Sequence, residues 1–196
     1  MTDIAPLRDF IRDMTQLAEQ GASEARWLTE GAALLRRLIA TDAWLPEDCG
    51  VAGSRYRQYL LHCDPLERFC VVSFVWGPGQ KTPVHNHTVW GLVGMLRGAE
   101  ISTEMRPGAP MTPGQVDHLK EGEVVAVSAD TYDIHVVENA LADRASISIH
   151  VYGGNIGAIA RSVFDPTTGA TKRFISGYDN AAVPNLWDRS KEMAAA

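Results

Sequence analysis

Only three cysteines occur among the 196 residues, Cys49, Cys63 and Cys70, and no two of them form a C-x-x-C pair. An odd, unspaced set argues against a disulfide framework and fits a reducing compartment. No apolar run is long enough to span a bilayer. The opening stretch MTDIAPLRDFIRDM carries acids where a secretory leader needs an apolar core. Basic residues are in deficit: 18 Lys and Arg against 24 Asp and Glu leave a net charge of -6. That balance disfavours a nucleic-acid partner, since phosphate binding wants a basic stripe. Both G-x-G-x-x-G and G-x-x-x-x-G-K-[ST] are missing, so neither a dinucleotide nor a P-loop nucleotide site is indicated. These absences leave a soluble, cytoplasmic chain without membrane or nucleic-acid partners, with an ordinary 45% of hydrophobic residues. Its length suits one core and hardly allows two domains of usual size.

Two patterns divide the chain. Residues 1–48 read as helix: PLRDFIRDMTQLAEQ sets Leu7, Phe10, Ile11, Met14 and Leu17 on one face, with Pro6 in the first turn. A second helical stretch carries Leu28, Leu34, Leu35, Leu38 and Ile39, and Gly31 interrupts it. From residue 50 to about 175 the period falls to two. YRQYLLHCD, FCVVSFVWG, VWGLVGMLRGAEISTEM, EVVAVSAD, IHVVEN and ASISIHVYGG are short runs parted by Gly, Pro and Asp turns. Many short strands of this kind predict a sandwich or barrel. One mainly β domain over 1–196 is expected, with N-terminal α-helices. The tail from about 180 docks through Leu186 and Trp187 or trails in solvent.

Histidine is the informative residue. In PVHNHTVWG, His85 and His87 stand two positions apart, which in a strand puts both on one face. Such a pair is either solvated or aimed at one metal. About fifty residues later His135 lies in a second strand-rich segment, where an antiparallel barrel could close all three around one ion. Imidazole nitrogen suits Zn, Cu, Fe and Ni. A second stripe runs Ser148, His150, Tyr152, with Ile147, Ile149 and Val151 on the opposite face. Ser148 can hold one nitrogen of His150, and its other nitrogen can hold the Tyr152 phenol, which would fix tautomer and rotamer. His62, His118 and Cys63 read as ordinary residues.

Gly79, His85, His87 and Gly98, followed by Gly122, His135 and Asn139, resemble the two motifs of the cupin superfamily. The resemblance implies a double-stranded β-helix, or jelly-roll barrel. One departure matters: where the first motif has a carboxylate, this chain has Trp90–Leu92. Three neutral imidazoles leave the charge of a divalent ion unbalanced, which favours an anionic ligand such as a thiolate. HVVEN and SISIHVYGGNIGAIARSVFDP narrow the resemblance to the thiol dioxygenases, relatives of cysteine dioxygenase. It implies iron(II) on His85, His87 and His135, and a catalytic set of Ser148, His150 and Tyr152.

Cysteine-oxidising members carry an arginine two residues after an early tyrosine; here Tyr56 is followed by Gln58, and Arg57 faces the other way if the segment is a strand. Arg161 stands nine residues after Tyr152, as in bacterial relatives that oxidise 3-mercaptopropionate, and offers a planar fork for a carboxylate. Its alternative is a surface pair with Asp165. No cysteine lies between His87 and Arg97, so Tyr152 is expected to work without a thioether link. The resemblance therefore implies oxidation of a small thiol carboxylate, 3-mercaptopropionate, by O2, with Arg161 and Gln58 at the substrate. L-cysteine and mercaptosuccinate are the alternative substrates. A zinc hydrolase or isomerase, or a cupin that binds a small ligand without turnover, are the alternatives of another class. Oligomerisation stays open.

Overall fold

The structure, a computed structural model, describes residues 2–128 and 133–189. Helix α1 (Ala5–Glu19) starts with Pro6 in its first turn, where a missing N–H costs nothing. Its buried face holds Leu7, Phe10, Ile11, Met14 and Leu17, the expected stripe, each contributing about 1.5–3 kcal/mol when removed from water. The second helical stretch is not uniform. It comprises α2 (Glu24–Arg26), a widened π-helical turn over Trp27–Gly31 and α3 (Ala32–Leu38). Gly31 sits where this stretch crosses the sheet: a Cβ there would stand 3.1 Å from the Leu92 side chain. The glycine that breaks the helical pattern thus permits close packing. Leu35, Leu38 and Ile39 are fully buried, while Leu28 and Leu34 are only partly covered.

The strands are β1 (Arg57–Cys63), β2 (Cys70–Trp76), β3 (Val84–His85), β4 (Gly91–Arg97), β5 (Ala99–Arg106), β6 (Thr112–Lys120), β7 (Val124–Val127), β8 (His135–Asn139), β9 (Ser146–Tyr152), β10 (Arg161–Phe164) and β11 (Thr171–Phe174). The long run from Val89 to Met105 is two strands, and Gly98, with φ 80°, turns the chain from β4 in one sheet to β5 in the other. One sheet has the order β1-β2-β9-β4-β7 and the other β11-β10-β3-β8-β5-β6. All pairings are antiparallel. The result is the double-sheeted jelly roll expected from the sequence, mostly β with helices near the N-terminus.

Strand β9 shows how this architecture creates an interior. It is buried along its whole length, between β2 and β4. Ile147, Ile149 and Val151 join Val71, Val75 and Leu92 in one apolar core beneath the helices. With a period of two, Ser148, His150 and Tyr152 must face the second sheet. Among the described residues no helix is long and apolar enough to cross a membrane. The tail docks through buried Leu186, whose carbonyl accepts from Arg8, while Trp187 stays 60% exposed.

Candidate metal centre

His85 closes β3 and lies directly opposite His135, the first residue of β8. His87 follows two residues later, in the loop that leaves β3. One ligand nitrogen from each can be chosen so that all lie within 4.8 Å of one another. The ring centroids are 4.8 to 5.0 Å apart, and all three side chains are buried.

Each Nδ1 is already engaged. His85 Nδ1 donates to the Pro83 carbonyl at 3.1 Å, and His87 Nδ1 donates to Asp133 Oδ1 at 2.8 Å. His135 Nδ1 bonds the Ser102 hydroxyl at 3.0 Å, and its Nε2 is buried with no hydrogen-bond partner. A buried polar atom left unsatisfied costs about 1–3 kcal/mol, so such an atom calls for an occupant. Rings held from behind through Nδ1, with one nitrogen of each within reach of the others, are what a metal ion requires of imidazoles. Burial, followed by the neighbouring His87 and His135, holds His85 well below its ordinary value; burial and His87 bring His135 down to about 3. Both are therefore neutral, the form that ligates. The residues present fit a divalent metal ion.

Asp133 has no counterpart in the sequence reading. Beside its bond to the His87 ring it accepts the backbone N–H groups of His87 and Thr88. Burial pushes its carboxyl up, but these bonds outweigh burial and leave it below the usual range. Its position two residues before His135 was the available signal, because a D-x-H spacing puts both on one side of an extended chain.

The absence of a carboxylate at Trp90–Leu92 has a local packing counterpart. Gly91, the inward residue at that place, pairs with Tyr152 across β4 and β9, and a Cβ on it would meet the phenol ring at 3.2 Å. Any side chain there would press on the Tyr152 ring.

Ser148, His150 and Tyr152 bond in series: Ser148 Oγ to His150 Nε2 at 2.8 Å, and His150 Nδ1 to the Tyr152 hydroxyl at 2.8 Å. The Tyr152 ring stacks on His87 with centroids 5.4 Å apart, so the chain ends beside the histidine cluster. Burial drives the Tyr152 phenol up and His150 well down, keeping both uncharged.

Arg161 opens β10 and is buried at 6% exposure. Its Nη2 donates to Ser176 at 2.8 Å, its guanidinium lies 4.7 Å over the Phe174 ring, and its Nε has no partner. No carboxylate pairs with it among the described residues. Asp165 does not do so: it accepts from the backbone of Thr167 and Thr168 in its own turn. Burial is also the main force lowering the Arg161 pKa.

Arg161 and the three histidines line one cavity of about 190 Å³, together with Tyr56, Gln58, Phe74, Trp76 and Tyr152. That is below the roughly 300–1,000 Å³ of pockets for drug-sized ligands, so a small molecule is the fitting occupant. Gln58 reaches the wall, but its amide donates to the Gly177 carbonyl at 2.7 Å. Arg57 faces away and pairs with Asp179. His62 is outside this wall, against Phe69, and His118 lies exposed on β6.

No family model matches the sequence. Solved structures similar to it in part include an RmlC-like cupin protein from Ralstonia eutropha, 18% identical over 62% of this chain and 68% of the other, with a TM-score of 0.42. A protein with a double-stranded β-helix domain from Klebsiella pneumoniae is 16% identical over 63% and 87%, with a TM-score of 0.42. A cupin-like protein from Thermotoga maritima is 20% identical over 53% and 76%, with a TM-score of 0.40.

Proposed function

We propose that this chain is an iron(II)-dependent thiol dioxygenase that oxidises 3-mercaptopropionate to its sulfinate with O2. The observation that carries the reading is Arg161, a buried guanidinium without a carboxylate partner among the described residues, in the same small cavity as three clustered imidazoles. A buried cation without a counter-ion is expensive. An acid-bearing substrate supplies the counter-ion, and a thiolate answers the divalent charge that three neutral histidines leave unbalanced.

The same lining discriminates between thiols. No Asp or Glu lines this cavity among the described residues, so the ammonium group of L-cysteine finds no carboxylate. Mercaptosuccinate would ask for a second cation, yet Arg57 and Arg97 are committed to Asp179 and Asp42. A thiol with one carboxylate and no amine matches best.

His85, His87 and His135 would hold the iron, which supplies the redox chemistry that joins dioxygen to sulfur. Both oxygen atoms end in the product, R–S⁻ + O2 giving R–SO2⁻. Arg161 would take the substrate carboxylate in a bidentate fork and fix the direction in which the thiol points. Tyr56, Phe74 and Trp76 form a stacked aromatic wall that excludes water. Tyr152 would present its hydroxyl to the reacting groups, and His150 with Ser148 keeps it in place.

The test is oxygen uptake and sulfinate formation by anaerobically iron-loaded protein, with 3-mercaptopropionate, L-cysteine, mercaptosuccinate and 2-mercaptoethanol. One O2 should be consumed per sulfinate, with 3-mercaptopropionate highest in kcat/KM, and zinc-loaded protein should be inert. Absence of sulfinate from every thiol would overturn the reading.

A further inference from the structure

Behind Ser148 stands a group that the proposed chemistry has not used. Glu100, on β5, is 2% exposed and has no ion-pair partner among the described residues. The Ser148 hydroxyl lies in short hydrogen-bond contact with Glu100 Oε1. The Trp76 indole N–H donates to the same hydroxyl at 3.2 Å. The polar stripe is therefore a chain of four, Glu100–Ser148–His150–Tyr152, ending beside His87.

Counting protons fixes how this chain can be wired. An indole N–H only donates, and a serine hydroxyl has one proton and two acceptor sites. Trp76 occupies one acceptor site of Ser148. If Glu100 is ionised, it takes the Ser148 proton. The second acceptor site then takes His150 Nε2–H, which leaves Nδ1 bare to accept the Tyr152 proton. If Glu100 carries a proton toward Ser148, that proton fills the second acceptor site. Ser148 must then donate to a bare His150 Nε2, and Nδ1–H donates to the Tyr152 oxygen. The phenol proton is thereby released toward the cavity.

We propose that the protonation of Glu100 sets the direction of this chain and so decides whether the Tyr152 hydroxyl faces the metal centre as acceptor or as donor. Glu100 is a positioning residue: it touches neither substrate nor metal and acts through Ser148 and His150. The catalytic consequence rests on the thiol-oxidation reading; the wiring does not.

A route for the proton exists. Glu100 lines a second cavity of about 240 Å³ on the far side of a wall formed by Val93, Val127, His135, Val137 and His150, which also line the substrate cavity. Glu104 of β5 and exposed Asp117 of β6 line it as well, so its mouth is acidic and reaches solvent. Among the described residues, these two acids, with His135 of β8 and His150 of β9, are the titratable groups sharing that cavity with Glu100. Directly across the ladders stand Leu119 and Asn139, and β2 contributes Trp76. Protons thus reach Glu100 without crossing the substrate cavity. Burial pushes the Glu100 carboxyl up to about 7, against the pull of its hydrogen bond with Ser148, which puts the reversal near neutrality.

The experiment follows the His150 tautomer by NMR in ¹⁵N-histidine-labelled, metal-free full-length protein titrated across neutral pH. His150 should be protonated on Nε2 on the alkaline side and on Nδ1 on the acid side, with one midpoint near 7. The carboxylic C=O infrared band of Glu100 in the unsubstituted protein should disappear with the same midpoint. Glu100→Gln should abolish both the tautomer step and the matching step in the pH profile of kcat, with iron content unchanged. A single tautomer throughout, or a step that persists in Glu100→Gln, overturns the proposal. A tautomer step in protein that oxidises no thiol supports the wiring and removes the dioxygenase reading; sulfinate formation with a fixed tautomer does the reverse.

Discussion

The backbone N–H of Thr88 donates to Asp133 Oδ2 at 2.8 Å, and Thr88 is held there at φ 63°. A β-branched residue adopts that conformation rarely, and such strain persists only where surrounding bonds enforce it. Asp133 supplies those bonds and also orients the His87 ring. Asp133→Ala should therefore weaken iron(II) affinity by roughly 10–100-fold, the usual scale for losing a group that orients a ligand. Competition titration with a chelator of known affinity reads this; an unchanged affinity would show that the loop orients His87 unaided.

Removing a ligand should do more than removing its support. His135→Ala should lose most of the metal by elemental analysis, because only two imidazoles would remain of a set that has no carboxylate among the described residues. Retention of metal in this variant would place the ion elsewhere.

Tyr152→Phe deletes one hydroxyl at the end of the polar chain and leaves the ring stacked on His87. Iron content should persist while kcat falls by about 10–1,000-fold, the cost of one positioned donor. Full turnover with tight coupling of oxygen uptake to sulfinate would mean that the hydroxyl takes no part.

Acid should destabilise the metal-free protein. His85, His135 and His150 are buried in the neutral form, with His135 depressed from 6.5 to about 3. The unfolded chain binds protons on these residues below about pH 6.5, whereas the folded chain does not, so stability falls as pH drops through that window. Each such proton is worth about 1.4 kcal/mol per pH unit. Glu100, raised from 4.5 to about 7, opposes this with the other sign: its contribution is full below 4.5 and is lost as pH rises through 7. Three groups against one leave a net loss on acidification. Urea midpoints at about pH 5 and about pH 7 check the slope, which should be steeper in Glu100→Gln.

The H-x-H pair was legible as a pattern, but β3 ends at His85 and the loop after it, not the strand period, brings His87 to the cluster. The Ser148–His150–Tyr152 stripe was legible because a strand's period of two turns sequence spacing into shared direction. The helical face of α1 was legible for the same kind of reason. What escaped was polar or non-local. Strand β6 (TPGQVDHLK) is mostly exposed, so it lacks an apolar pattern, and β10 and β11 are short and only partly buried. Glu100 lies in the run VWGLVGMLRGAEISTEM, where a single acid carries no mark of burial, and its burial follows only from β5 packing over β9. Ser176 and Phe174, which steady Arg161, belong to a segment without any motif. Asp133 acts on His87, 46 residues away, through contacts that only the closed barrel creates.

The central claim, that a small acidic thiol is held by Arg161 beside the three histidines, is tested most directly by one comparison. Steady-state sulfinate formation from 3-mercaptopropionate and from 2-mercaptoethanol should be measured in the iron-loaded parent and in Arg161→Ala. A desolvated carboxylate–guanidinium pair contributes about 2–5 kcal/mol, so kcat/KM for the acid should fall by roughly 30- to several-thousand-fold. The alcohol, with no carboxylate to lose, should change little, and iron content should be equal in both proteins. Equal losses for the two thiols would contradict the account.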